Sequence, residues 1–320
     1  MARERRRLLI PPARLAPRFA LLPPERHYLT RVLRLAPGQG CDVVDGVGHR
    51  WGAVLTAAGE LALEQPLETP LETGPAPTPT LELAVALPRQ EVELVWRMAT
   101  ELGIDRLQPL LAERCQGRER WPLERWRAIV REACEQSERL WMPELAEPRT
   151  AAAWLARPEG EAPEGLASAG RAHGTIAPGE LAQGQRAAGV LAVGELAAGE
   201  LEPLERSPVE GLHLLATSRG EDRPLLQRRL AELFPSGSAM ASGDSPAQAE
   251  CGKAARVRLA IGPEGGWSPA EEALALGRGW VAVSAGPTIL RTTTAAVAAA
   301  AWLTGWRASL SSSSSPWPSP

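Results

Sequence analysis

The sequence predicts an α/β domain with a largely parallel sheet, preceded by a small β-barrel. Three observations predict it. Residues 8–71 read as short strand-like runs broken by glycine and proline turns, the spacing of a small barrel. Residues 72–80, Glu-Thr-Gly-Pro-Ala-Pro-Thr-Pro-Thr, form a proline-rich link of stiff, extended character. Beyond it, strand-like and helix-like segments alternate, as in a parallel sheet covered by helices.

In the first unit, expected over residues 1–74, Arg31-Val-Leu-Arg-Leu reads as a strand before the turn at 36–40. Cys41-Asp-Val-Val-Asp and Trp51-Gly-Ala-Val-Leu follow as strands on either side of the Gly46-Val-Gly turn. In the second unit, expected over 80–308, residues 81–87 read as a strand. Val92, Val95, Met98, Ala99 and Leu102 recur at helical spacing, and Gly103 stands where a C-cap glycine belongs. Residues 104–111 read as the next strand. Leu123, Trp126, Ile129, Val130, Ala133 and Leu140 form one face of a long helix that ends before Pro143. Strands at 211–216 and 256–262 follow, with a helix near 223–233 between them. Residues 157–206 repeat small and acidic units, and 235–252 are rich in Ser, Gly and Ala. Both read as low-complexity insertions, and 309–320 as a disordered tail.

Composition narrows the function classes. The chain is 44% hydrophobic and 23% charged, the balance of a soluble protein. Its longest apolar run, Ala295 to Leu303, is too short to span a bilayer, and the Arg-rich start lacks a signal-peptide core. A cytoplasmic protein with no membrane partner is expected. Cys41, Cys115, Cys134 and Cys251 form no C-x-x-C pair, which excludes a disulfide framework or a cysteine zinc site, and no metal is expected. Net charge is −3, but residues 1–35 hold nine Arg against Glu4 and Glu25, while 157–210 hold nine Glu against four Arg. The basic start is a plausible phosphate-binding surface.

Two segments carry the chemistry. In the first, the strand Leu259-Ala-Ile enters Gly262-Pro263-Glu264-Gly265-Gly266, and then Ser268, Pro269 and Glu271 spell the capping box of a new helix. Paired glycines after a strand let backbone approach a ligand closely. In the second, Val281-Ala-Val-Ser-Ala-Gly-Pro-Thr-Ile-Leu-Arg-Thr is another strand and Gly-Pro loop, leading into a helix from Thr294 to Trp302 that is apolar all round. Such a helix is expected to be buried on every side, by the chain's own core or by a second subunit. The histidines add little: His213 lies within an apolar strand, where packing is its expected role.

These pieces resemble the RsmE family of 16S ribosomal RNA uridine-N3 methyltransferases, members of the SPOUT superfamily. The matching segments are Ala99-Thr-Glu-Leu-Gly-Ile, Ala112-Glu-Arg-Cys, residues 125–139 ending in Glu-Gln-Ser-Glu-Arg, Ile261-Gly-Pro-Glu-Gly-Gly-Trp and Gly286-Pro-Thr-Ile-Leu-Arg-Thr. His27 to Leu35 is similar to a stretch of the family's PUA-like RNA-binding barrel. The resemblance implies a SPOUT trefoil-knotted α/β domain preceded by a small PUA-like β-barrel. It implies S-adenosyl-L-methionine as cofactor and 16S rRNA in the small ribosomal subunit as substrate. It also implies a homodimer. Carried over, the cofactor would lie among Ala260, Ile261, Gly262, Pro263, Glu264, Gly265 and Gly266 of the first loop. The second loop would supply Ala285, Gly286, Ile289, Leu290, Arg291 and Thr292, with Ala216 and Thr217 as a third wall. Arg291 is the expected catalytic cation, and Arg31, Arg34, Arg114 and Arg139 are the expected RNA contacts.

The chain departs from the family at three places, carrying Thr288 for Arg, Thr293 for Glu and Trp141 for a second Arg. A cofactor held by backbone is expected to tolerate these changes better than RNA contacts made by side chains. The alternatives are therefore a non-catalytic RNA-binding relative and a SPOUT methyltransferase acting on tRNA.

Overall fold

The computed structural model describes residues 5–115, 121–156, 211–217, 223–233 and 256–311. The expected insertions at 157–206 and 235–252 lie outside these residues, as do residues 312–320 of the expected tail. Residues 309–311, also assigned to that tail, instead complete the last helix.

The N-terminal unit is a six-stranded sheet curled around its own core. Its strands are β1 (Arg7–Leu9), β2 (Arg18–Ala20), β3 (Gly40–Val44), β4 (His49–Leu55), β5 (Glu60–Leu63) and β6 (Glu72–Thr73). They run in the order β1-β3-β4-β5-β2, with β6 on β4; β1 pairs β3 in parallel and the other pairs are antiparallel. Leu8, Ile10, Phe19, Val43 and Leu61 fill the interior. Residues 31–35 are not the expected strand. After helix α1 (Pro23–His27), Tyr28–Val32 makes a wide helical turn, closed by Leu33 N donating to Tyr28 O at 2.9 Å. The apolar residues there follow a helical face, with Leu29 buried against the barrel core and Val32 turned to solvent.

The second unit is a seven-stranded sheet in which every pairing is parallel. Its strands are β7 (Thr80–Ala86), β8 (Arg106–Leu111), β9 (Glu144–Leu145), β10 (Arg149–Thr150), β11 (Gly211–Ala216), β12 (Arg256–Ile261) and β13 (Val281–Val283). The order is β10-β8-β7-β12-β11-β13, with β9 on β8. Both faces are covered, so the strands are buried on both sides. On one face Leu81, Leu83, Val85, Leu107, Leu214 and Leu259 join one core with residues of α2 (Val92–Leu102), α3 (Leu123–Gln136), α5 (Leu226–Leu233) and α7 (Thr292–Ser311). On the other, the smaller Ala84, Ala86 and Ala260 admit Trp154 of α4 (Ala151–Leu155), and Trp267 and Trp280, which flank α6 (Pro269–Gly277). Period-2 alternation along β7 thus divides large from small residues between the two faces.

Several local expectations hold. Gly103 caps α2 at φ +107°, and Ser268 and Glu271 make the reciprocal capping box of α6. The helix expected to run on to Leu140 stops at Gln136, because Glu138 adopts a left-handed φ of +58° and turns the chain away. The chain's own core takes one side of the last helix: Ala296, Ala299, Ala300 and Leu303 face it, while Trp302 is 46% exposed. No helix among the described residues is long and apolar enough to cross a membrane.

Candidate functional site

A cleft opens at the C-terminal ends of β11, β12 and β13, the end of a parallel sheet where α/β domains bind ligands. Ala216 and Thr217 form its wall at the end of β11. Ile261, Gly262, Pro263, Glu264 and Gly266 line it from the first Gly-Pro loop, and Ala285, Gly286, Ile289, Leu290 and Thr292 from the second. The two loops are tied directly, as Thr292 Oγ1 donates to Gly262 O at 2.9 Å. Trp267 Nε1 donates to Ala216 O at 2.9 Å, holding the first loop against β11.

Glycine is required here by geometry. Gly266 closes a turn on Pro263 O with φ +71°, where a side chain is strained. A Cβ on Gly262 would come within 3.0 Å of Trp267 Nε1. On the other side, Ser284 Oγ donates to Gly286 O at 2.6 Å and shapes the second loop.

Three expected site residues stand apart from the lining. Ala260 is buried in the core under the first loop. Gly265 faces the chain after β8, where its Cβ would meet Arg114 Cβ at 3.3 Å. Arg291 is exposed at the lip, between two lining residues, and its side chain lies outside the cleft wall. Thr288, which replaces an Arg, does line the cleft. Among the described lining residues there is no Arg or Lys.

Two of the four expected RNA contacts also bond within the fold. Arg139 is largely enclosed and donates to Thr100 O at 2.8 Å, Ile104 O at 2.7 Å and Asp105 Oδ1 at 3.4 Å, so its donors serve the end of α2. Burial holds its pKa below the usual arginine value, against the raising effect of Asp105. Arg114 donates to Gly265 O at 3.0 Å and Trp267 O at 3.1 Å, bracing the first loop from behind. Glu113 N adds to that brace by donating to Glu271 Oε1 at 2.8 Å. Arg31 and Arg34 are exposed on the barrel. Of the other basic residues in the first 35, Arg5, Arg7 and Arg14 are engaged by Glu64, Glu138 and Glu25.

Sequence reading missed Trp267, Glu272, Ser284 and Ala295 in the lining. It also missed Arg223, which donates to Thr217 Oγ1 and, at 2.6 Å, to Glu272 Oε1, closing one side of the cleft. Trp267 abuts the glycine motif and could have been included. Arg223 carries no local signal, since both its partners are distant or polar surface residues by sequence.

Comparison with known proteins fits this architecture. An RNA methyltransferase domain family matches residues 75–184 and 232–304, and an RNA methyltransferase PUA domain family matches residues 23–64. The chain is 34% identical over 277 residues to a ribosomal RNA small subunit methyltransferase E of Synechocystis, covering 86% of this chain and 69% of the relative. It is 30% identical over 288 residues to the protein of that name in Mycobacterium bovis, covering 86% and 81%. Among solved structures it is similar to a Legionella pneumophila protein in complex with the cofactor SAM (TM-score 0.63, 21% identity, 94% of this chain and 98% of that one). It is also similar to a ribosomal RNA small subunit methyltransferase E of Neisseria gonorrhoeae bound to S-adenosyl methionine (TM-score 0.59, 22% identity, 94% and 98%). The chain therefore belongs to the ribosomal RNA small subunit methyltransferase E family, with an RNA methyltransferase PUA domain ahead of an α/β RNA methyltransferase domain.

Proposed function

We propose that the cleft holds S-adenosyl-L-methionine and that the chain methylates N3 of a specific uridine in the 16S rRNA of the small ribosomal subunit. The observation that carries this reading is the pairing of two Gly-Pro loops, tied by Thr292 and Gly262, around one cleft at the sheet's C-terminal end. The names of the relatives and the two cofactor-bound structures support it. The lining suits a nucleoside sulfonium. Ile261, Ile289 and Leu290 offer apolar contact for a purine, loop backbone serves its polar edges, and the exposed Glu264 carboxylate favours a positive charge. Bound there, the cofactor supplies an electrophilic methyl group.

What the protein adds is position and charge. Loss of the N3 proton to solvent leaves charge spread over O2 and O4 that needs a cation, and N3 would then take the methyl group as its bond to sulfur breaks, leaving a neutral thioether. Arg291 at the lip is assigned that role. Exposed Arg31 and Arg34 on the barrel are assigned phosphate contacts, and the base must be turned out of its stack to present N3. The exposed face of α7 around Trp302 is assigned to a homodimer contact, which sedimentation of a species heavier than the 34.2 kDa chain would support.

The test is transfer of a tritiated methyl group to 30S subunits from a strain lacking this gene, with the product nucleoside identified by mass spectrometry. The expected product is 3-methyluridine. Arg291→Ala is expected to slow its formation roughly 100-fold with cofactor affinity kept, the effect of losing one donor to developing charge. No label from the wild-type protein would favour a non-catalytic RNA-binding relative, and label on tRNA instead would move the target.

A further inference from the structure

The segment after α3 leaves the methyltransferase domain and completes the barrel. Residues 140–142 run antiparallel to 46–48: Gly48 N donates to Leu140 O at 3.1 Å, Met142 N donates to Gly46 O at 2.9 Å, and Val47 bridges Trp141 between them. Trp141 Nε1 also reaches the interdomain link, donating to Gly74 O at 2.9 Å, and Gly74 N donates to Gly48 O at 2.8 Å.

Three glycines meet three consecutive side chains in this seam. A Cβ on Gly48 would lie 2.8 Å from Trp141 Cζ2, one on Gly74 2.9 Å from Leu140 Cδ1, and one on Gly46 3.1 Å from Met142 Cβ. Gly46 and Gly48 also hold φ of +77° and +111°, so the backbone is shaped for this contact as well as cleared for it. Alongside, Leu9 N of the barrel donates to Glu135 Oε1 at 2.8 Å, and Leu9, Val44, Cys134, Leu140 and Met142 share one apolar cluster.

The same segment is anchored on its other side. Arg139 holds the carbonyls of Thr100 and Ile104 and pairs with Asp105. Arg307 near the end of α7 also binds Asp105, and donates to Gly103 O at 2.7 Å. The opposite end of α7 is Thr292, which is bonded to Gly262 in the cleft. One short stretch thus fixes the barrel to the elements that frame the cleft.

We propose that residues 139–142 form a rigid joint that sets the barrel's orientation to the cleft, with Trp141 its positioning residue. Under the function proposed above, RNA held by the barrel is thereby placed with its target base at the cleft. Trp141 touches neither cofactor nor base; it acts through the barrel.

The experiment compares full-length wild type with Trp141→Ala and Trp141→Phe. Trp141→Ala is expected to lower the methyl-transfer rate at saturating 30S subunits and cofactor at least about tenfold, roughly 1.4 kcal/mol in barrier. RNA and cofactor dissociation constants should change less than about twofold, since neither binding surface is touched, and small-angle X-ray scattering should show a larger radius of gyration. Trp141→Phe, which keeps a ring against Gly48 but loses the bond to Gly74, should fall between. An unchanged rate in Trp141→Ala, or a loss of affinity matching the loss of rate, would overturn the joint's positioning role. A wild-type protein that transfers no methyl group would sink the function and leave the joint to scattering, where an unchanged profile for Trp141→Ala would overturn it too.

Discussion

The two ends of the parallel sheet are built on opposite principles. Near the N-terminal end, His213, Arg258, Glu82 and Arg106 stand in register across four adjacent strands, all buried. Glu82 lies between the two arginines, 3.3 Å from Arg106 Nε and 3.4 Å from Arg258 Nε, and accepts Trp154 Nε1 at 3.3 Å. The Arg258 guanidinium lies over the Trp154 ring at 4.1 Å, and the His213 ring is 5.0 Å from that of Trp280. At the C-terminal end the strands run out into glycine loops, and the charged Glu264 is left exposed beside them. Charges locked into a buried row can hold a fold but cannot meet a ligand; loops that keep backbone accessible can. The comparison teaches that the charged cluster is buried in the fold and that the sparsely charged end is the one open to a ligand.

Breaking the row is expected to have the largest effect on stability. Glu82→Ala leaves Arg106 and Arg258 buried with their shared carboxylate gone, which should cost about 3–5 kcal/mol in denaturant unfolding. A loss below about 1 kcal/mol would mean that Glu144, which also pairs with Arg106, and the two tryptophans suffice.

His213 sharpens the comparison through pH. Burial, then Arg258 and Arg256, lower its pKa from 6.5 to about 4. Between those values the unfolded chain binds the extra proton and the folded chain does not. Stability is therefore fully present above about pH 6.5 and is lost as pH falls toward 4, by on the order of 3 kcal/mol. His213→Phe keeps a ring beside Trp280 and should flatten that window when wild type and variant are melted across it. An unchanged pH slope would remove His213 from the account.

Local pattern carried much of this into view. The strands β7, β11 and β12 were legible because their apolar residues have few alternatives to a doubly covered sheet, and the cleft because two Gly-Pro turns follow strands. The misreadings share one cause, dependence on partners remote in sequence. Residues 31–35 alternate well enough for a strand, yet Leu29 seats Tyr28–Val32 as a helical turn on the barrel core. Arg139 resembles an RNA contact until Thr100, Ile104 and Asp105 fold beside it. Arg114, still exposed, also braces a loop some 150 residues later, which no local pattern announces.

The central claim is that the glycine end holds the cofactor and the charged end does not. Calorimetric titration of S-adenosyl-L-methionine into the full chain tests it most directly, with Gly266→Val and Glu82→Gln beside wild type. Gly266 sits at φ +71°, so a β-branched residue there is strained by about 1–3 kcal/mol, the smallest stability cost of these variants, while reshaping the loop itself. The account predicts one-site binding by wild type and by folded Glu82→Gln, and at least about a tenfold loss, roughly 1.4 kcal/mol, in folded Gly266→Val. Wild-type affinity in Gly266→Val, or no binding by the wild-type protein, would contradict it.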